Sequence, residues 1–207
     1  MKNYKFTANW FNTQVGIDKV FTLDIKNEFH ILEIGSFEGK STVWFLDNVL
    51  SHPNSTITCI DPWTKYTQDT DSFNSYFKEN ARWDFTSSKD LFLHNIKESG
   101  NENKVIIKHG FSHELLPNLI TENQQYDFIF IDGNHTAAFV LTDALMSWYT
   151  LKPGGIMVFD DYLWVAPDMK NFPTTTPKLA VDSFTSVFKD YLEVLFTGPR
   201  VAIKKLS

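Results

Sequence analysis

The run His30-Ile31-Leu32-Glu33-Ile34-Gly35-Ser36-Phe37-Glu38-Gly39 decides how this chain is read. A short, mostly apolar stretch is cut off by a glycine turn, and Lys40 to Leu50 then follows helical spacing. Strand, glycine turn and helix in that order make the first unit of a parallel sheet wrapped by helices. Working outward, the same alternation returns. Strands are expected at Thr56 to Ile60, Lys104 to Lys108, Tyr126 to Ile131 and Gly155 to Phe159, and helices near Ser112 to Thr121 and Thr136 to Leu151. Phe128-Ile129-Phe130-Ile131 is apolar without alternation, as a strand covered on both faces requires. After a helix near Lys178 to Phe188, the runs Tyr191 to Phe196 and Arg200 to Lys204 are joined by Thr197-Gly198-Pro199. That link reads as a hairpin and would add one antiparallel strand.

A chain of 207 residues with 43% hydrophobic and 21% charged residues is expected to form one domain, spanning 1–207, with its own core. The segment 62–103 is longer than a crossover needs and rich in aromatics, so it reads as a lid or substrate wall. This segment and the loop Trp164 to Thr176, with Pro167 and Pro173, are expected at the pocket mouth. Their Trp63, Tyr66, Trp83, Phe85 and Trp164 are candidates for stacking on a sugar or aromatic ring, with plain packing as the alternative. The formal charge of −6, without a basic run, argues against nucleic acid and favours a small-molecule partner. No stretch is long and apolar enough to suggest a membrane span, and no signal-peptide core follows Met1-Lys2-Asn3. Cys59, the single cysteine, lies inside Ile57-Thr58-Cys59-Ile60 and reads as a buried thiol, consistent with a cytoplasmic location. Oligomeric state is left open, a homo-oligomer included.

The first turn offers close backbone approach and free helix N–H groups to a ligand. A pyrophosphate fingerprint would need glycine where Phe37 stands, and Gly39-Lys40-Ser41 lacks the upstream glycine of a phosphate loop. An acid, Glu33, before Gly35-Ser36-Phe37-Glu38-Gly39 suits a cationic ligand instead. S-adenosylmethionine carries an ammonium and a sulfonium and no phosphate, so Glu33, Gly35, Ser36, Phe37, Gly39 and Ser41 are its candidate binding residues. Asp61, ending the second strand, is placed to accept ribose hydroxyls, with Trp63 stacking nearby. The competing reading of Asp61 is a turn residue before Pro62. Gly110, Phe111 and Ser112 follow the third strand, where an adenine would lie; Ser112 is equally an N-cap candidate.

The fourth strand ends in Asp132-Gly133-Asn134-His135 and the fifth in Asp160-Asp161-Tyr162. Adjacent strand ends would bring Asp132, Asp160 and Asp161 together, and three carboxylates repel unless a cation or protons compensate. A hard divalent ion such as Mg²⁺ takes oxygen ligands and leaves room for a substrate oxygen. His135 is a candidate base for the attacking hydroxyl, and Asp132 the second catalytic candidate. The competing enzyme reading is a nicotinamide-dependent oxidoreductase, which Phe37 disfavours. A non-catalytic cofactor-binding module is the third.

Taken together these motifs resemble class I S-adenosylmethionine-dependent methyltransferases, and within them the macrocin-type and rhamnosyl O-methyltransferases. The likeness rests on Leu32 through Thr42, Ile60-Asp61-Pro62-Trp63, Phe92 with Asn95-Ile96, and Gly110-Phe111-Ser112. It continues through Ile131-Asp132-Gly133-Asn134-His135, Lys152-Pro153-Gly154-Gly155 and Asp160-Asp161-Tyr162. The resemblance implies a Rossmann-like, doubly wound α/β fold with a seven-stranded sheet in the order 3-2-1-4-5-7-6, the last strand antiparallel. It also implies, from the related catechol O-methyltransferases, a metal site at Asp132, Asp160 and Asp161. Those enzymes have their general-base lysine where this chain has His135. Some sugar methyltransferases carry a second aspartate where Asn134 stands here.

Overall fold

The computed structural model describes residues 2–12, 17–21, 27–64, 85–165, 174 and 176–207. Tyr66 and Trp83 of the expected lid, and Pro167 and Pro173 of the expected pocket mouth, lie outside them.

Seven strands form one sheet: β1 His30–Ile34, β2 Thr56–Asp61, β3 Val105–His109, β4 Tyr126–Ile131, β5 Leu151–Phe159, β6 Leu192–Thr197 and β7 Val201–Lys205. Their order is β3-β2-β1-β4-β5-β7-β6. The five strands β1 to β5 pair in parallel, and β7 runs antiparallel to both β5 and β6. This is the expected doubly wound topology, hairpin included. β5 starts earlier than expected, at Leu151, because Tyr126 pairs with Leu151 before a register shift takes up the Pro153-Gly154 step.

The helices are α1 Ile17–Val20, α2 Lys40–Asn48, α3 Phe85–Ser99, α4 Ser112–Thr121, α5 Ala137–Trp148 and α6 Pro177–Val187. Strand alternation divides the core between the two faces of the sheet. Ile31, Cys59, Phe128, Phe130 and Val158 pack against α1, α2 and α3 through Ile17, Phe45, Leu46, Phe92 and Ile96. Leu32, Ile34, Ile129, Ile131 and Phe159 pack against α4, α5 and α6 through Leu116, Val140, Ala144, Trp148 and Phe184. Each buried Phe or Leu side chain contributes about 1.5–3 kcal/mol. Glu33 has the same parity as Ile31, so the pleat sends its carboxylate toward α2. Among the described residues no helix is long and apolar enough to cross a membrane.

The strands of the parallel half all end at one edge, and backbone bonds knit those ends together. Gly35 N–H donates to Ile60 O at 2.9 Å, Asp132 N–H to Ile34 O at 2.8 Å, and Asp160 N–H to Ile131 O at 2.9 Å. Gly35 is required by this closeness. A methyl group added there would lie 2.0 Å from the Asp132 carbonyl oxygen, and its φ of 89° is one that side chains resist.

Candidate active site

Beneath the first turn, Glu33 is fully buried. Its carboxylate accepts the hydroxyls of Ser36 and Ser41, each at 2.6 Å, and that of Thr42; the Cys59 thiol reaches it at 3.5 Å. Burial pushes the Glu33 carboxyl above the usual carboxylate range, with the hydroxyls pulling the other way. Glu33 and Ser41 therefore stiffen the turn from below, and the turn surface itself consists of Gly35, Ser36, Phe37 and Gly39. Thr42, not anticipated from the sequence, completes this hub.

Asp61 stands at the end of β2 and grips the same turn from the side. One carboxylate oxygen accepts the Ser36 and Phe37 backbone N–H groups at 2.9 Å, and the other accepts Trp63 N–H at 2.6 Å. Burial raises its pKa against these three backbone donors. The turn-residue reading of Asp61 is thus realised in its contacts. Trp63 is 4% exposed, packs on Phe92 with ring centroids 4.9 Å apart, and donates its indole N–H to Phe37 O at 2.7 Å. It locks the turn rather than standing free for stacking.

Gly110 N–H donates to Asp61 O at 3.1 Å, which ties the turn after β3 to the end of β2. The N-cap of α4 is Phe111, with no side-chain capping bond, and Ser112 is the first helical residue. The expectation of Ser112 as N-cap is corrected here. Asp143 of α5 has its carboxyl pushed up to about 7 by burial, with Ser112 opposing.

At the tips of β4 and β5 the pairing of Ile131 with Phe159 sets Asp132 and Asp160 side by side. Asp132 is driven well above the usual carboxylate range by burial first, then by the charges of Asp160 and Asp161, with Arg200 opposing. Asp161 is also raised, by burial foremost. The three acids do converge, but not as equals. Arg200, 2% exposed, clamps Asp160 with two bonds of 2.7 Å, Nε to Oδ1 and Nη2 to Oδ2. Such a fork is a strong and directional pairing. His135 instead joins the open part of the cluster: its Nε2 is 3.3 Å from Asp161 Oδ2. Ligand atoms of Asp132, His135 and Asp161 all lie within 4.8 Å of one another. Trp164 flanks His135, ring centroids 5.0 Å apart.

Arg200 was missed by sequence reading, although it is one of only two arginines and directly follows the hairpin turn. The amino-terminal residues were missed as well. Trp10 stacks on Phe37 at 4.9 Å, Thr7 N–H donates to Glu38 at 2.7 Å, and Phe11 lies under the Arg200 guanidinium at 5.3 Å. Arg200 also donates to Asn12 O. No sequence periodicity links residues so far apart.

A family model described as a methyltransferase domain matches residues 32–162. A protein of Arabidopsis thaliana named for caffeoyl-CoA O-methyltransferase activity is 25% identical over 115 residues, 54% of this chain and 47% of that protein. The match therefore spans about half the length of that curated relative. An O-methyltransferase from Bacillus cereus, solved with SAH, superposes with a TM-score of 0.64 at 17% identity, covering 96% of this chain and 84% of that one. The O-methyltransferase TomG from Streptomyces achromogenes, involved in tomaymycin synthesis and solved with SAM, gives 0.64 at 16% identity, over 88% and 75% of the two chains. The methyltransferase MycE of mycinamycin biosynthesis, solved with Mg and SAH, gives 0.61 at 17% identity, over 98% and 51%. These structural likenesses establish a shared fold.

Proposed function

We propose the activity from one premise: this chain belongs to the methyltransferase domain family. Within it, the reading is transfer of a methyl group from S-adenosylmethionine to a hydroxyl oxygen of a small molecule, assisted by a divalent cation such as Mg²⁺. One observation carries this reading. Asp132, His135 and Asp161 lie within reach of a common atom at the strand edge where the glycine turn, Asp61 and Gly110 also gather.

For the donor, the backbone of Gly35, Ser36, Phe37 and Gly39 offers close approach, with Glu33 and Ser41 holding that turn from beneath. Asp61 has one acceptor site left, on Oδ1, for a ribose hydroxyl, and Gly110, Phe111 and Ser112 border the adenine side. The acceptor hydroxyl belongs beside Asp132 and His135. The donor set, two carboxylates and an imidazole with more negative charge than Arg200 balances, suits a hard cation. When bound by Asp132 and Asp161, that cation supplies a lowered pKa and a fixed orientation for the acceptor oxygen. His135, oriented by Asp161, takes the hydroxyl proton as the new O–CH₃ bond forms and the S–CH₃ bond breaks. Alignment of oxygen and methyl carbon contributes about 7–11 kcal/mol to lowering the barrier.

The compactness of the Asp132–His135–Asp161 group favours one alternative to the base: His135 as third ligand. Calorimetry separates the two. SAH is expected to bind in the micromolar range, and Mg²⁺ to raise the melting temperature of the wild type but not of Asp132→Asn. If His135 is the base, His135→Ala loses turnover about 10²-fold or more with Mg²⁺ affinity intact; if it is a ligand, Mg²⁺ affinity falls too. Absence of SAH binding at millimolar concentration would refute the donor, and a response to NADH in its place would revive the nicotinamide reading.

A further inference from the structure

The turn of the β6–β7 hairpin reaches the acidic site twice. Pro199 O accepts the Tyr162 N–H at 2.8 Å, and the next residue is Arg200. Its guanidinium is buried and lies over the rings of Phe11 and Phe130, 5.3 and 5.9 Å from their centroids. Three of its nitrogens donate: Nε and Nη2 to the two oxygens of Asp160, and Nη1 to Asn12 O. A planar cation answered at three points holds one geometry.

Asp160 passes that geometry on. Its Oδ1, bound to Arg200 Nε, also accepts the backbone N–H of Asp161 at 2.8 Å, so both acceptor sites on that oxygen are taken. Asp161 has a φ of 52°, in the left-handed region that a residue with a side chain enters only at a cost. The bond from Asp160 holds it there, together with the Trp164 N–H donating to Asp161 O at 2.8 Å. In that conformation the Asp161 carboxylate lies 3.3 Å from His135 Nε2. It also joins Asp132 and His135 in the group of ligand atoms within 4.8 Å of one another, a group without Asp160.

We propose that Arg200 is a positioning residue for the cation site: it grips Asp160, and Asp160 fixes Asp161 opposite His135 and Asp132. Asp160 is then the anchor of the site and not a third carboxylate ligand. The proposal rests on the cation reading above. It differs in sign from a plain counter-ion role. A counter-ion only lowers the negative charge that faces the cation, so its removal would tighten Mg²⁺ binding. Removal of a positioner loosens Asp161 and weakens Mg²⁺, although the site becomes more negative. Groups that orient metal ligands are worth about 10–100-fold in metal affinity. Lysine keeps the charge but cannot form the fork, so the two roles also part at Arg200→Lys.

The test is Mg²⁺ calorimetry with parallel melting curves on wild type, Arg200→Lys, Arg200→Gln and the Arg200→Gln/Asp160→Asn pair, joined by amide hydrogen exchange on the metal-free proteins. Both single variants are expected to bind Mg²⁺ about tenfold or more weakly than wild type. The pair leaves no lone buried charge and keeps a carbonyl oxygen at position 160 for the Asp161 N–H. Its Mg²⁺ affinity should return to within about threefold of wild type. Without Mg²⁺, the Asp161 amide should exchange about tenfold faster in Arg200→Lys, while the Asp132 amide, bound to Ile34 O, keeps its rate. Unchanged Mg²⁺ affinity in Arg200→Lys, tighter binding in Arg200→Gln, or loss of Mg²⁺ binding in the pair would overturn the proposal. Should the single variants fail to melt cooperatively, the pair decides. Failure of the wild type itself to bind Mg²⁺ would instead overturn the cation reading, and the exchange rates would still decide whether Arg200 holds Asp161.

Discussion

Glu33 and Asp132 sit on neighbouring strands, a few residues apart in register, and both carboxyls are forced upward in pKa by burial. Their surroundings differ. Glu33 is met by three hydroxyls and a thiol, all neutral donors, so both of its oxygens are answered. Asp132 is met by two further carboxylates, and the one nearby guanidinium is committed to Asp160. The first arrangement is satisfied and therefore structural. The second is an unsettled charge, and a group in that condition is ready to bind a cation or hold a proton. The same residue chemistry serves scaffold in one place and reactivity in the other, and the difference lies wholly in the neighbours.

That contrast can be broken, most forcefully at Glu33. Replacing it by Ala orphans three buried hydroxyls, and urea denaturation should show a loss of about 5 kcal/mol. Glu33→Gln should lose roughly half as much, since one acceptor oxygen remains. A loss below about 1 kcal/mol would mean that the hub is not structural after all.

Asp143 of α5, 2% exposed and with its Oδ1 unpartnered among the described residues, sharpens the comparison through pH. An unfolded-state Asp titrates near pH 3.9, whereas burial brings this one up to about 7. Below about pH 4 both states hold the proton and the group costs nothing. As pH rises from about 4 toward 7, only the unfolded chain ionises, so folding stability falls by up to about 4 kcal/mol and then levels off. Asp143→Asn removes this slope. The stability gap in favour of the variant, read by denaturation at several pH values, should widen across that window; a gap independent of pH would contradict the raised pKa.

The smallest expected effect in stability is at Asp132. Asp132→Asn relieves carboxylate repulsion, so a metal-free sample should gain about 1–2 kcal/mol in a thermal melt. The same change should remove the Mg²⁺-induced stabilisation. Destabilisation instead would place Asp132 with Glu33 on the structural side of the comparison.

Much of this molecule was legible in the sequence because much of it is local. β1 and β4 begin and end where their apolar runs do, and α4 spans the residues its spacing marks. The hairpin was visible in Gly198-Pro199 between two β-like runs. The candidate acids were visible too, since each terminates an apolar strand. What misled was the assignment of partners. Asp160 looked equivalent to Asp161, yet Arg200, 40 positions away, claims it. Ser112 looked like a cap, yet Phe111 holds that position and Ser112 is already helical.

By itself, then, the sequence determined the order of elements, the doubly wound class and the gathering of acids at one sheet edge. Periodicity and turn chemistry act over a few residues, and parallel pairing brings strand ends together without further instruction. Only the tertiary structure decided which acid is neutralised, which is sealed beneath the turn and which stays open beside His135. Those outcomes depend on burial and on charges brought close from distant parts of the chain, and electrostatic energy follows distance and dielectric in space, not separation along the sequence.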